Sequence, residues 1–188
     1  MGIVVEPVTM GIVSTKFKSE GALLITHWGM SGPATLKLSA HAARYLHEKN
    51  YKVNVAINWV NESNANIVEQ QLTQIIQANP KKQLAGVVPY QLTNRVWHYL
   101  LERADLDSHK RWEELGRKGL NKLIETLTND IHATQGKGRF KDEFVTCGGI
   151  SLQSVDSSTL ESKVCPNLYF AGELLDIDGI TGGFNLQA

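Results

Sequence analysis

Apolar positions along this chain change period several times, and each change marks a candidate element. Met10 to Lys18 reads as extended, and Ala22 to Trp28 is a run of strand formers. Leu38, Ala42, Tyr45 and Leu46 fall on one helical face that ends near Asn50. The period drops to two from Lys52 to Trp59, where Val53, Val55, Ile57 and Trp59 alternate with polar neighbours as in a half-buried strand. Three helical patterns follow: Ala65, Val68, Leu72, Ile75 and Ile76, stopped by Pro80; Leu92, Val96, Tyr99 and Leu100; and Leu120, Leu123, Ile124, Leu127 and Ile131. Two strands, Ile131 to Gln135 and Phe140 to Thr146, are then joined through the glycines of Gly136-Lys137-Gly138-Arg139.

The last forty residues differ in character. Glycines at 148, 149, 172, 179, 182 and 183 punctuate Leu168-Tyr169-Phe170-Ala171, an apolar run suited to a buried parallel strand. Gly183 to Ala188 reads as a helix that has barely begun, and a helix that short is marginal. The chain is therefore expected to be a piece of a longer protein. The fold class expected is mixed α+β, with a small barrel-like β-sheet from residues 1–61 and 129–146, an inserted helical subdomain at 62–128, and an incomplete Rossmann-type tail at 147–188.

Composition narrows the class without pointing to an activity. With 188 residues, 42% hydrophobic and 20% charged, the chain is long enough for a core and is neither disordered nor collagen-like. The formal charge is +0, but residues 1–148 hold 18 basic and 14 acidic side chains while the tail carries only Lys163 against five acids. Neither excess marks a strong polyanion binder. No apolar stretch reaches membrane-span length and no leader pattern opens the chain, so a cytoplasmic protein with no membrane association is expected. Cys147 and Cys165 lack metal-site spacing and are expected to be small core residues; no metal is expected.

Candidate chemistry lies at both ends. Leu168 to Gln187 reads as strand, Gly-acid, loop, then Gly-Gly opening a helix, a layout that sets a carboxylate and free backbone N–H groups beside a ligand crevice. Asp176 and Asp178 read as a solvated turn. Histidine is the side chain suited to proton transfer near neutral pH, which makes His27 a candidate proton donor, set against a plain structural histidine. Ser31 reads as an N-cap ahead of Pro33 and, with Gly32, offers an anion pocket on the substrate side. Lys81-Lys82, Lys110-Arg111 and Arg117-Lys118 read as solvated helix faces.

The block Leu168 to Gln187 is similar to the C-terminal flavin-binding segment of the BaiN-like, aminoacetone-oxidase-type FAD-dependent oxidoreductases. Thr26-His27-Trp28-Gly29-Met30-Ser31-Gly32-Pro33 resembles that family's THxGxSGP motif, and Val145-Thr146-Cys147-Gly148-Gly149-Ile150 its VTxGGV motif. The resemblance implies FAD as cofactor, with NAD(P)H as a candidate electron donor. It implies that Gly172 and Glu173 lie against the flavin's pyrophosphate and ribityl chain, that Gly182, Gly183, Phe184 and Asn185 pass the ring, and that Gly148 and Gly149 are also cofactor-binding. This chain has no GxGxxG, so the N-terminal FAD-binding segment of such a protein is missing from it.

Two functions are therefore expected as alternatives. In the first the chain supplies the substrate-side insert and flavin-contacting loop of an FAD-dependent oxidoreductase, for hydride transfer at a carbon next to a polarised group of a small molecule; the isolated chain is expected to be inactive. In the second it is a non-catalytic module recognising a larger partner such as structured RNA. Basic residues converging on one face would favour the second, and an apolar cleft near His27 the first.

Overall fold

The computed structural model describes residues 2–138, 146–179 and 182–187. Strands β1 (Ile3–Ile12) and β2 (Lys18–Thr26) form a hairpin, and β3 (Gly29–Ser31) folds back on β2 through the two-residue turn His27-Trp28. Helices α1 (Pro33–His41) and α2 (Ala43–Glu48) lead to β4 (Asn54–Asn58), which pairs with the other edge of β1. Helices α3 (Ala65–Ala78), α4 (Asn94–Arg103) and α5 (Gly116–Thr128) intervene before β5 (Asp130–Ala133) pairs with β4. All pairings are antiparallel, in the order β3-β2-β1-β4-β5.

The mixed α+β class is as expected. The sheet is open, with β3 and β5 as its two edges among the described residues, and is not closed into a barrel. The expected strand from Phe140 lies outside the described residues as far as Val145, and Thr146 is in no strand. The helix expected from Pro33 to Asn50 is broken at Ala42. Within β1 the register slips by one residue between Val5 and Val8. Pro7 sits in that bulge, where its missing N–H takes nothing from the ladder.

Side chains alternate across the sheet, so the pairs Met10↔Ser19, Val5↔Leu23 and Met10↔Ile57 put their side chains on one face. Helix α1 covers part of that face: the Ser19 hydroxyl donates to the Ala34 carbonyl at 2.7 Å, and Ala34 and Leu38 are buried. The helical region shares the same core. Asn64 caps α3 by accepting from the Asn66 N–H at 3.0 Å, and Thr93 caps α4 through the Val96 N–H. Trp97 and Trp112 stack with ring centroids 6.1 Å apart, and both are fully buried beside Leu72, Leu84 and Leu123.

The tail is built differently. Its described elements are 3-10 turns at Leu152–Ser154 and Gly172–Leu174 and the short helix α6 (Gly182–Leu186). Leu168-Tyr169-Phe170-Ala171 is not the buried strand expected: Tyr169 makes a single antiparallel bridge to Glu161, and Leu168 and Tyr169 are exposed. A buried parallel strand needs parallel neighbours, and among the described residues this run pairs only with the antiparallel segment around Glu161. The cysteines are not core residues either, since Cys165 is exposed and Cys147 half-buried. Among the described residues, no helix is long and apolar enough to cross a membrane.

Candidate functional site

The inner face of the sheet is only partly covered. The register Ile3↔Ile25, Ile25↔Met30, Ile57↔Asp130 and Val55↔His132 sends these side chains to the same side as the core. Where α1 stops covering this face and α4 crosses above it, a cleft of about 330 Å³ opens. Its floor is Ile3, Leu23, Ile25, Met30 and Ile57; its walls are Trp59, Val96 and Tyr99, with Thr26 and Gly29 of the β2–β3 hairpin at one end. Polar groups are few: Arg95, Tyr99, Thr26 and His132. An apolar slot with a few placed polar groups is the usual form of a small-molecule site.

Behind His132 lies a side chain with four hydrogen-bond partner atoms among the described residues. Asp130 is buried, and its Oδ2 accepts from Trp59 Nε1 at 3.1 Å and lies 2.7 Å from His132 Nε2. Its Oδ1 accepts from Arg103 Nε at 3.1 Å and Nη2 at 2.7 Å. Burial pushes the Asp130 carboxyl up, but the hydrogen bonds from His132, Arg103 and Trp59 outweigh it and hold the group below its usual value. The Trp59 ring meets Tyr99 edge-on at 6.1 Å, and burial, reinforced by the Asp130 charge, raises the Tyr99 phenol.

The helical spacing that runs on to Ile131 hides this network: α5 stops at Thr128, and Ile131 is exposed on the outer face of β5. The signal was present in Asp130-x-His132, because two polar residues at strand spacing share a face. Which face they share depends on the pairing with β4.

His27 is exposed at the tip of the β2–β3 hairpin, its ring edge-on to Trp28 at 3.9 Å. It does not line the cleft, although Thr26 and Gly29 on either side do. Ser31 is not an N-cap: it ends β3, and the helix is capped by Gly32 without a side-chain hydrogen bond. Gly32 has φ 93, and a Cβ there would lie 2.8 Å from the Ala22 carbonyl oxygen, so this glycine lets α1 start against β2.

The residues tied to flavin by resemblance gather in one small unit. Ile150 N–H donates to the Leu174 carbonyl at 2.8 Å and Asp176 N–H to the Ile150 carbonyl at 3.0 Å, a parallel bridge that joins the two motifs. A Cβ on Gly149 would come within 2.6 Å of the Leu175 backbone, so only glycine permits this approach. Gly172 is buried beneath the Leu186 carbonyl of α6. Asn185 is buried and accepts from the Gly179 N–H at 2.8 Å, closing its own loop. Glu173 and Phe184 are exposed. At Gly148 and Gly183 an added Cβ would meet nothing within 4 Å, so the backbone there is uncovered.

Asp176 and Asp178 form more than a solvated turn. Both reach Arg44 on α2, at 2.7 and 3.5 Å, and this contact ties the tail to the helix that packs beside the sheet. Cys147 first and Asp176 second hold the Arg44 guanidinium above its ordinary value. No group of three or more His, Cys, Asp or Glu side chains is placed to hold a metal ion among the described residues. Of the basic pairs, Arg111 meets Glu113 and Arg117 meets Glu69, and nearby Lys122 meets Asp105.

Comparison with known proteins agrees with these motifs. Residues 1–145 match the model of the HI0933-like protein barrel and H2TH domain. A ribosomal RNA dihydrouridine synthase of Escherichia coli (strain K12) is 29% identical over 186 residues, covering 99% of this chain and 43% of that protein. A 3-dehydro-bile acid delta(4,6)-reductase of Clostridium scindens is 30% identical over 171 residues, covering 89% of this chain and 41% of that protein. A ribosomal RNA dihydrouridine synthase of Haemophilus influenzae is 28% identical over 165 residues, 88% and 38% of the two chains. The chain thus spans about two fifths of the length of the relatives it matches. With the family model covering residues 1–145 and three motifs in order from Thr26 to Gln187, the chain belongs to the HI0933-like, BaiN-like family.

Proposed function

We propose that the chain is the substrate-side insert and flavin-contacting loop of an FAD-dependent reductase that transfers hydride to a carbon next to a polarised group. In this reading residues 1–61 and 129–146 carry the sheet, 62–128 the helical subdomain, and 147–188 return to an FAD domain whose N-terminal segment lies outside this chain. The observation that carries it is the apolar cleft on the sheet face, lined by Trp59 and Tyr99 and holding a few polar groups. Such a slot suits a flat ring with one carbonyl. The relatives' names, a dihydrouridine synthase and a delta(4,6)-reductase, share the reduction of an unsaturated carbon and support the same class.

The open backbone at Gly148 and Gly183 fits a flat cofactor on that side of the tail. Flavin, when bound, supplies the hydride, with NAD(P)H as the proposed electron donor. This chain's own residues do the rest: Gly148, Gly149, Gly172 and Glu173 flank the cofactor's chain, and Gly182, Gly183, Phe184 and Asn185 its ring. The cleft orients substrate and excludes water, with Thr26 and Gly29 of the hairpin at one end, and His27, Ser31 and Gly32, next to it in sequence, are the candidate proton donor and anion-binding residues. The protein works in the cytoplasm without a membrane. The alternative is a non-catalytic module that recognises a larger partner such as structured RNA. RNA as the carrier of a reducible base remains compatible with the relatives' names.

An FAD titration tests this reading, made on the 188-residue chain and on the chain extended at its N-terminus by the missing segment. The oxidised flavin band near ~450 nm is expected to be retained by the extended protein only. Retention by neither would remove the assignment of the tail glycines.

A further inference from the structure

The balanced formal charge of the chain hides a local excess. Residues 13–18, 49–53 and 134–138 hold Lys16, Lys18, Lys49, Lys52 and Lys137 and no Asp or Glu, with Glu48 bordering them. The fold gathers these three segments at one end of the sheet. The Ile12 N–H donates to the Phe17 carbonyl at 3.1 Å and closes the β1–β2 turn, and the Val13 N–H donates to the Asn54 carbonyl at 2.9 Å, which sets that turn beside the start of β4. Asn54 pairs with Ala133 at the end of β5, and the Thr134 hydroxyl that follows donates to the Tyr51 carbonyl at 2.6 Å. Phe17 packs on Tyr45 with ring centroids 5.7 Å apart, Lys49 Nζ stands 5.8 Å over the Tyr45 ring, and Lys137 Nζ stands 5.6 Å over the Tyr51 ring. These lysines are all exposed, and among the described residues Lys16, Lys18, Lys49 and Lys52 have no ion-pair partner. The basic pairs of the helical region also approach one another, through the bridge Gln83↔Arg111, but Asp107, Glu113 and Glu114 share that surface.

We propose that this lysine-bearing end of the sheet is a docking surface for the phosphate backbone of a structured RNA. The strands β2, β1, β4 and β5 lie side by side, and at ~4.8 Å per step they spread the ammonium groups over roughly 14 Å, enough to meet several phosphates and too wide for one. Lysine offers a point charge, and the exposed Ser14 and Asn50 add polar side chains beside it; such groups hold a sugar–phosphate chain without reading its sequence. An anionic membrane is the other extended partner of this charge. Seating on a membrane draws on apolar side chains, and among the described residues no exposed large hydrophobic side chain lies on these three segments. The surface is remote from the cleft: β2 runs from Lys18 to Thr26, which lines the cleft, and that length is about 26 Å at ~3.3 Å per residue. It holds a long ligand and takes no part in reduction. The inference therefore goes beyond the oxidoreductase reading and is independent of the cofactor.

The test is fluorescence anisotropy of a fluorescein-labelled RNA stem-loop titrated with the 188-residue chain between about 50 and 200 mM KCl. The logarithm of the affinity should fall linearly with the logarithm of salt, with a slope of roughly −3 to −5. The triple variant Lys16→Gln/Lys18→Gln/Lys52→Gln should weaken binding roughly 10- to 100-fold and flatten the slope by about 2 to 3. Lys81→Gln/Lys82→Gln/Lys118→Gln removes the same charge from the helical region and should change the affinity less than about 2-fold. All six lysines are exposed, so both variants keep the fold, which matching circular dichroism spectra check. Equal weakening by the two triple variants would reduce the effect to net charge and overturn the proposal, as would no RNA binding by the wild-type chain. Displacement of the RNA by tripolyphosphate at equal phosphate concentration would assign the surface to a small anion, and binding to phosphatidylglycerol vesicles without an RNA response would assign it to a membrane; either result overturns the proposal. Failure of the extended protein to hold FAD would remove the oxidoreductase reading and leave the RNA result standing.

Discussion

The body of the molecule and its tail carry similar proportions of apolar side chains but use them differently. In the body, Trp97, Trp112, Leu72, Leu100, Leu123 and Leu127 are wholly buried in one continuous core. In the tail, Val164 is 83% exposed, Phe184 67% and Leu174 63%, and among the described residues Val155 and Leu175 are its buried hydrophobic ones. Burial is worth roughly 25 cal/mol per Å² only when a partner surface is present to remove the water. The comparison teaches that Leu168-Tyr169-Phe170-Ala171 has the composition of a buried strand without the neighbours that make one. An exposed apolar surface of this kind marks a place where another surface fits.

The largest test of this contrast is Trp97→Ala. It removes one of two stacked indoles and the hydrogen bond from Trp97 Nε1 to the Leu84 carbonyl at 2.7 Å. Urea unfolding followed by circular dichroism should show a loss of about 3–5 kcal/mol, and a loss under 1 kcal/mol would contradict the single shared core.

Next comes Asp130→Asn, expected to cost about 1–3 kcal/mol at neutral pH through weakened bonds to Arg103, His132 and Trp59. The same carboxylate gives a pH dependence with a definite sign. Its folded value lies below the ordinary 3.8, so the unfolded chain binds more protons across that interval and stability rises with pH through it. The contribution is present above about 3.8 and lost as pH falls through the folded value. Denaturation at a series of pH values should therefore show the gap between wild type and Asp130→Asn closing in acid. A gap that persists unchanged would contradict the ionised network.

Smaller and local effects belong to the tail. Gly149→Ala forces a Cβ against the Leu175 backbone, so the Ile150 and Asp176 amides should lose hydrogen-exchange protection while the global unfolding midpoint stays in place. A shift of the global midpoint would show that tail and body unfold together. Arg44→Ala is the mildest. Its guanidinium is largely in water, so global stability should not change measurably, yet limited proteolysis within 146–179 should accelerate, most clearly at low salt. Unchanged cleavage would mean that the bridge to Asp176 and Asp178 does not hold the tail.

Much of the body was legible in advance. The alternation of Val53, Val55, Ile57 and Trp59 marks β4, and the spacings around Val68, Val96 and Leu123 mark α3, α4 and α5. These signals are local: each helix carries its own backbone hydrogen bonds, and each half-buried strand its own alternation. The break at Ala42 was not legible, because the Leu38–Leu46 face continues on both sides of it. The motifs of the tail were legible as a resemblance, and the bridge Ile150↔Leu175 brings two of them together. The cleft and its Asp130–His132 pair were not.

The sequence by itself determined the helices, the alternating strands and the family, since these rest on neighbours along the chain and on short runs of residue types. Tertiary structure alone decided the sheet order β3-β2-β1-β4-β5 and the pairing of β5 with β4. That pairing turns Asp130 and His132 inward and Ile131 outward, and a slip of one residue would reverse all three. Arg103 on α4 and Trp59 after β4 meet Asp130 from 27 and 71 positions away, distances over which no local pattern carries information. A buried charge needs such partners gathered from several elements, and only the folded chain supplies them.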